Sequence, residues 1–167
     1  MAEHPDELLD LVGQIYDAAG ESADWGSVGL PIARAVGAKY AWLMMNDPDH
    51  PETCWTRAAT GRDIWNYPLH EGPGYGAVRK SEPGSVVLGS KTAPPARIRQ
   101  DPFFEQWLRK PRIQYACMVV IERTAHNEHF LAFNRVPEAG DFTETDQRLL
   151  LQLAPHIRRA YALHTRL

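Results

Sequence analysis

Cysteines, histidines and large aromatic rings are the side chains of this sequence with chemistry to offer. Cys54 follows His50 by four residues, a spacing that invites a thiol–imidazole pair. A nucleophilic thiol needs a depressed pKa and an oriented base, and a turn histidine beside a strand cysteine supplies neither. Cys117 is far away in sequence and there is no CxxC pair, so neither a disulfide framework nor a redox couple is expected. His126 and His129 give two metal ligands across a hairpin turn, where a structural zinc site wants four. Glu128 between them does not make a helical HExxH site, and the stretch reads as a solvated turn. The Gly72–Gly76 stretch, GPGYG, resembles a phosphate loop only superficially: proline removes a backbone donor and no lysine follows at the required spacing. These residues predict no catalytic group, no metal and no cofactor.

The aromatic rings point to a pocket. Trp65, Tyr67, Tyr75, Phe104 and Trp107 crowd the middle of the chain, and Trp42 and Trp55 sit on the first two strands. Small-molecule sites are mostly apolar with a few orienting polar groups, and tryptophan and tyrosine combine a large ring with one hydrogen-bonding handle. These seven are the expected ligand-binding residues. A sheet covered by irregular segments also needs rings to fill its core, so a filled core stands beside the pocket as an alternative.

Positioning these residues falls to a recognisable series of elements. Leu8, Leu11, Val12, Ile15 and Ala19 recur at helical spacing, and a second helix runs from Trp25 to Val36, with Asp24 as its cap and Gly37 as its stop. Strands follow at Lys39 to Met45 and at Cys54 to Ala59, joined by a proline-containing turn. The middle, rich in proline and glycine, allows short helices around Asp63 to Tyr67 and Tyr75 to Lys80 and a strand at Ser85 to Leu88. Pro94-Pro95 and Asp101-Pro102 then open two helical stretches, the second carrying Phe103, Phe104 and Trp107. Two strong strands, Gln114 to Arg123 and Phe130 to Val136, flank a turn made of residues 125–129. Neighbouring strands joined by short turns give an antiparallel sheet of about five strands with helices beside it, an α+β fold in a single domain over residues 1–167.

Composition narrows the setting. Hydrophobic residues make up 44% of the chain and charged residues 23%, the balance of a globular domain, and a net charge of −3 creates no field that would attract nucleic acid. No leader and no apolar run long enough for a membrane span is present, and the free cysteines fit a reducing compartment, so a cytoplasmic, membrane-free protein is expected.

The last stretch, FTETDQRLLLQLAPHIRRAYALHTRL from Phe142 to Leu167, reads as one long amphipathic helix. Thr143 is its N-cap, and Glu144 and Asp146 complement the positive end of its dipole. Leu150, Leu153, Ile157, Tyr161 and His164 form one face, expected to pair with a second copy in a homodimer. Pro155 in the interior is expected to bend the helix, so that the first half packs on the sheet and the second projects.

This order of elements resembles the GAF/PAS-like sensory fold. More specifically, the opening LLDLVGQIYDAAGESADW, the DPFFEQWLRKPRI segment and the C-terminal run are similar to the N-terminal sensor domains of LuxR-type transcriptional regulators. The resemblance spans nearly the whole chain and is strongest at LAPHIRRA. It implies a small-molecule-sensing regulatory domain that signals through its terminal helices. In that family a helix-turn-helix domain follows, whereas this sequence stops at Leu167, so no direct DNA contact by this chain is expected. The lactone-binding branch carries Trp-x-x-x-Tyr followed by an aspartate. Here Trp65 and Tyr67 are two apart and the next aspartate is Asp101, so the implied ligand is an unidentified small apolar or aromatic molecule and not a lactone autoinducer. The alternative reading is a ligand-free GAF-like module that acts through protein contacts and dimerisation.

Overall fold

A computed structural model describes residues 5–20, 25–47, 49–50, 54–59, 63–65 and 68–166. Two helices, α1 (Pro5–Gly20) and α2 (Trp25–Ala35), precede strands β1 (Tyr40–Asn46), β2 (Trp55–Ala58) and β3 (Asp63–Trp65). Short helices α3 (Tyr75–Arg79), α4 (Gly89–Thr92) and α5 (Pro95–Gln100) surround β4 (Val86–Leu88), and a π-helical turn spans Phe104–Leu108. The long strands β5 (Tyr115–Arg123) and β6 (Glu128–Arg135) lead to the final helix α6 (Glu144–Arg166). The strands form one antiparallel sheet in the order β3-β2-β1-β6-β5-β4. The α+β fold expected from the strand and helix pattern is therefore present, with a short sixth strand at the edge.

That sixth strand replaces the helix expected around Asp63 to Tyr67. Asp63 stands opposite Arg57 in the β2–β3 ladder, with Nε and Oδ1 2.6 Å apart, and isoleucine and tryptophan favour a pleated strand. The Arg57 guanidinium, together with the Trp55 indole, holds the Asp63 carboxyl below the usual carboxylate range. Asp24, the expected cap of α2, lies outside the described residues.

The two faces of the sheet are covered differently. On one face α1, α2 and α6 bury Leu11, Ile15, Val28, Ile32, Leu150, Leu153 and Ile157 against Leu43, Val119, Leu131 and Phe133. The layers are close: a Cβ on Gly29 would lie 2.7 Å from the Ala41 Cβ, so α2 rests on β1 only because this position has no side chain. Arg135 fastens the corner. Its guanidinium donates to the carbonyl oxygens of Val36 and Asp141, pairs with Asp146 at 2.9 Å and stacks over the Phe142 ring at 4.5 Å. Asp146 completes the cap of α6 with Thr143: the Asp146 N–H donates to Thr143 Oγ1 at 3.2 Å and the Thr143 N–H to Asp146 Oδ2 at 2.7 Å.

Burial corrects the expected role of α6. Leu150, Leu153 and Ile157 are fully buried and Tyr161 nearly so, all inside this chain's own core, so the face expected to meet a second copy is already occupied. Nor does the half beyond Pro155 project. The helix runs unbroken through Arg166, Pro155 lies on its exposed side, and Ile157, Ala160 and Tyr161 are as buried as the leucines before it. His164 packs on Trp25 with ring centroids 5.9 Å apart, and His156 lies 3.3 Å from the Tyr16 hydroxyl of α1. The physical reason is area: a broad apolar sheet face needs the whole length of α6 to exclude water.

Truncating this seam should therefore cost intramolecular stability. Leu153→Ala is expected to lower the unfolding free energy by about 3 kcal/mol, against about 0.5 kcal/mol or less for the exposed Leu151→Ala, in urea titrations. The loss should not depend on protein concentration, as it would if Leu153 lay at a dimer interface.

Candidate functional site

The second sheet face is floored by alternate residues. Cross-strand register puts Trp42 and Met44 of β1, Thr56 of β2, Ala132 and Asn134 of β6, and Ala116 and Met118 of β5 on one side. Over them lies a cover built from residues 72–111. Pro95 begins α5, and the Phe103 N–H donates to Asp101 Oδ1 at 2.8 Å, starting the next turn. That turn widens to π geometry, with the Arg109 N–H donating to the Phe104 carbonyl at 2.8 Å. Arg112, at φ 61°, then reverses the chain and pairs with Glu138, which lowers the Glu138 pKa. The Tyr40 hydroxyl donates to the Pro111 carbonyl at 3.1 Å and ties the end of the cover to β1.

Between floor and cover is a cavity of about 590 Å³, within the range of small-molecule sites. Its walls are mostly apolar, and Lys110 is the sole charged side chain among the described residues lining it. Two polar atoms of residues on this wall, Thr56 Oγ1 and Gln114 Nε2, are themselves fully covered by protein and have no hydrogen-bond partner among the described residues.

Of the seven rings expected to bind a ligand, Trp42, Tyr75 and Trp107 line the cavity together. Trp55 does not. It pairs with Met45, whose sulfur accepts from the Tyr161 hydroxyl of α6, so parity sets Trp55 on the helix side of the sheet. Phe104 does not line it either, because Phe103 and Trp107, four residues apart, share the inward face and the ring next to Phe103 turns away. Trp65 pairs with Trp55 through its backbone, its side chain lies outside what is described, and Tyr67 lies outside the described residues altogether.

Tyr75, on the cavity wall, reaches a polar cluster around Glu128, a residue that the sequence pattern placed in a turn. The turn occupies residues 124–127, and Glu128 and His129 already belong to β6. Glu128 is 1% exposed; its Oε2 accepts from the Tyr75 hydroxyl at 2.8 Å and from Asn46 Nδ2 at 3.0 Å, and its Oε1 lies 3.4 Å from Arg123 Nε. Arg123 also donates to the carbonyls of Val78 and Ser81, so α3 is clamped to the sheet. A bulge between Val120 and Glu122 makes this possible: it turns Arg123 toward Glu128 on the cavity side and Glu122 toward His129 on the helix side. There His129 Nδ1 lies 2.9 Å from the Tyr161 hydroxyl and 3.2 Å from Glu122, and burial lowers the His129 pKa despite the carboxylate. His126 is exposed beside Asp49, so the two histidines do not converge. Period-two alternation from Phe130 back to Glu128 was the available signal for this buried carboxylate.

The cysteines lie on opposite faces. Cys54 is buried with Met44 and Phe130 on the cavity side, and Cys117 with Leu131 and Phe133 on the helix side. Burial pushes the Cys117 thiol up to about 12.

With this geometry the chain has the GAF fold. The solved structures it resembles include the LBD domain of VqsR from Pseudomonas aeruginosa, with a TM-score of 0.64 and 9% identity over 95% of this chain and 96% of that one. The GAF domain of an Acinetobacter phosphoenolpyruvate-protein phosphotransferase aligns with a TM-score of 0.59 and 12% identity, covering 98% of both chains. The free methionine-R-sulfoxide reductase of Neisseria meningitidis aligns with 0.57 and 14%, covering 99% of this chain and 96% of that one. No protein-family model and no curated protein sequence matches the chain.

Two phenols make the clamp and the helix junction sensitive to alkali. Burial, then the Glu128 carboxylate, raises the Tyr75 pKa to about 12, and burial, then Glu122, raises that of Tyr161 to about 12. Each holds its proton to higher pH folded than unfolded, so the stability it adds is complete below pH 10.0 and is lost as pH rises toward 12. Folding stability should fall across that window, less steeply in Tyr75→Phe and Tyr161→Phe. Tyrosinate absorbance should show a late-ionising component that shrinks in Tyr75→Phe and in Tyr161→Phe.

Proposed function

We propose that this chain is a ligand-sensing regulatory domain, that a small and largely apolar molecule binds between the sheet and the cover, and that occupancy is transmitted through the terminal helices. The observation that carries this reading is the cavity of about 590 Å³ lined by Trp42, Tyr75 and Trp107. The clamp supplies a route. Ligand contacts on α3 reach β5 and β6 through Tyr75, Glu128 and Arg123, and β6 meets α6 at His129 and Tyr161. A ligand shifts such a system only by binding one arrangement of it more tightly than another.

The finer assignment, to the sensor part of a LuxR-type transcriptional regulator, rests on the sequence resemblance, and the likeness to the VqsR LBD domain is in keeping with it. A homodimer remains part of the proposal, formed through outer surfaces of α1 and α6, where Leu9, Leu151 and Leu163 are exposed. No described helix is long and apolar enough to cross a membrane. Thiol catalysis is disfavoured by cysteines on opposite sheet faces, one of them with a strongly raised pKa.

Native mass spectrometry of the protein purified from cells tests the reading. A discrete added mass that disappears on denaturation is expected in the native protein and absent from Trp42→Ala/Trp107→Ala. An apo species that also binds nothing from a small-molecule extract would favour a ligand-free interaction module.

A further inference from the structure

Resting on the cavity being a binding site, we infer the charge and orientation of its ligand: a largely apolar body carrying an anionic head, such as a carboxylate, at the end where Tyr40, Asn134 and Lys110 come together. Tyr40 and Asn134 are direct partners in the β1–β6 ladder, and both line the cavity. The Tyr40 hydroxyl donates to the Pro111 carbonyl at 3.1 Å, which brings the adjoining Lys110 to the same end. A second ammonium stands there, with Lys39 Nζ 5.4 Å from the centre of the Tyr40 ring. Glu138, whose carboxylate feels the charge of Lys39, is already paired with Arg112.

Asn134 supplies the fixed polar contact. It is 7% exposed, and its side-chain amide makes no hydrogen bond among the described residues. Unlike Thr56 Oγ1 and Gln114 Nε2, its polar atoms are not sealed under protein, so they open onto the cavity that this residue floors. The amide has two N–H donors to offer a carboxylate, and hydrogen bonds to a charged acceptor are the stronger kind. Away from Asn134 the floor turns apolar. The Tyr40 and Trp42 rings lie with centroids 6.1 Å apart, and Met44 follows four residues beyond Tyr40, roughly 13 Å at the rise of a strand.

The distribution of charge sets the sign of the head. Lys110 is the sole charged side chain among the described lining residues, so a cationic head would meet a like charge and no partner. At the other end of the β1–β6 ladder Glu128 stands opposite Asn46, its carboxylate already held by Asn46, Tyr75 and Arg123. The cover agrees: residues 72–111 hold seven lysines and arginines against three carboxylates, while the remainder of the chain holds eleven against eighteen. Arg79, Lys80, Lys91, Arg97 and Arg99 are all exposed on it. In an acidic chain, a basic layer confined to the roof of the cavity draws anions toward it. Asn134 and the two lysines are thus specificity-determining residues that read the head, and the rings and methionines hold the body.

Calorimetric titration with naphthylacetate, naphthylacetamide and naphthylethylammonium, which share one body and differ in head, tests the inference. The acid is expected to bind about fivefold more tightly than the amide, and the ammonium more weakly than both. Raising salt from about 0.05 to about 0.5 M should shrink the acid's advantage and leave the amide unchanged. Lys110→Gln should remove most of that advantage and Lys39→Gln/Lys110→Gln all of it, with amide binding retained. Asn134→Leu should weaken the acid about tenfold. Amide or ammonium binding as tight as the acid, or an acid preference undiminished in the double lysine variant, would overturn the inference while leaving the cavity a binding site. Failure of all three probes would also overturn it, and the native mass spectrum then decides the sensor reading separately. Circular dichroism checks that Asn134→Leu folds, and the exposed lysine variants test the inference without it.

Discussion

A six-stranded sheet with no face free for water is the constraint on which this molecule depends. Every strand alternates its side chains, so each element that packs on one face obliges another to cover the opposite one. The helix face meets this with three long elements whose apolar seams match the strands. Its tightness shows where α2 touches β1 through Gly29, and at the corner where Arg135 ties the end of α2 to the start of α6. The seam of α6 that carries Leu150, Leu153 and Ile157 is spent on the chain's own core, while Leu151 and Leu163 stay exposed on its outer side.

The opposite face is covered by short helices, a π-turn and prolines. Such pieces cannot match a sheet residue for residue, because a four- to six-residue helix presents only one or two side chains inward. What remains between them is volume. Close packing makes a cavity of this size costly in an ordinary core, and here it coincides with large rings. Glu128 stands at the boundary between cover and sheet. Taking a carboxylate out of water is compensated only by several good partners, and Tyr75, Asn46 and Arg123 are drawn to it from three elements. That requirement converts a loosely packed cover into one with a fixed anchor.

Much of the fold was legible in the sequence because it rests on local rules. Helical spacing of Leu11, Ile15 and Ala19, glycine after the second helix and the Thr143 cap all act within one turn of chain, and each was read correctly. Reading failed where partners come from afar. Asp63 to Trp65 became a strand because β2 offered Arg57 opposite Asp63. Glu128 passed for a turn residue because a carboxylate in a polar run looks solvated until a buried arginine and tyrosine are placed beside it. Pro155 looked like a hinge because proline's effect on its own helix is local, whereas what holds both halves down is the sheet.

The sequence by itself determined the class of the fold, the order of most of its elements and a concentration of aromatic rings in the middle of the chain. Those follow from periodicity, turn chemistry and composition, which are properties of neighbouring residues. Tertiary structure alone decided which rings meet. Trp42, Tyr75 and Trp107 share a cavity and Trp55 and Phe104 do not, because strand register sets the direction of the strand rings and the π-turn that of Phe104 and Trp107. It also decided that the last helix serves its own sheet, since that is a competition for buried area between surfaces distant from one another in the chain.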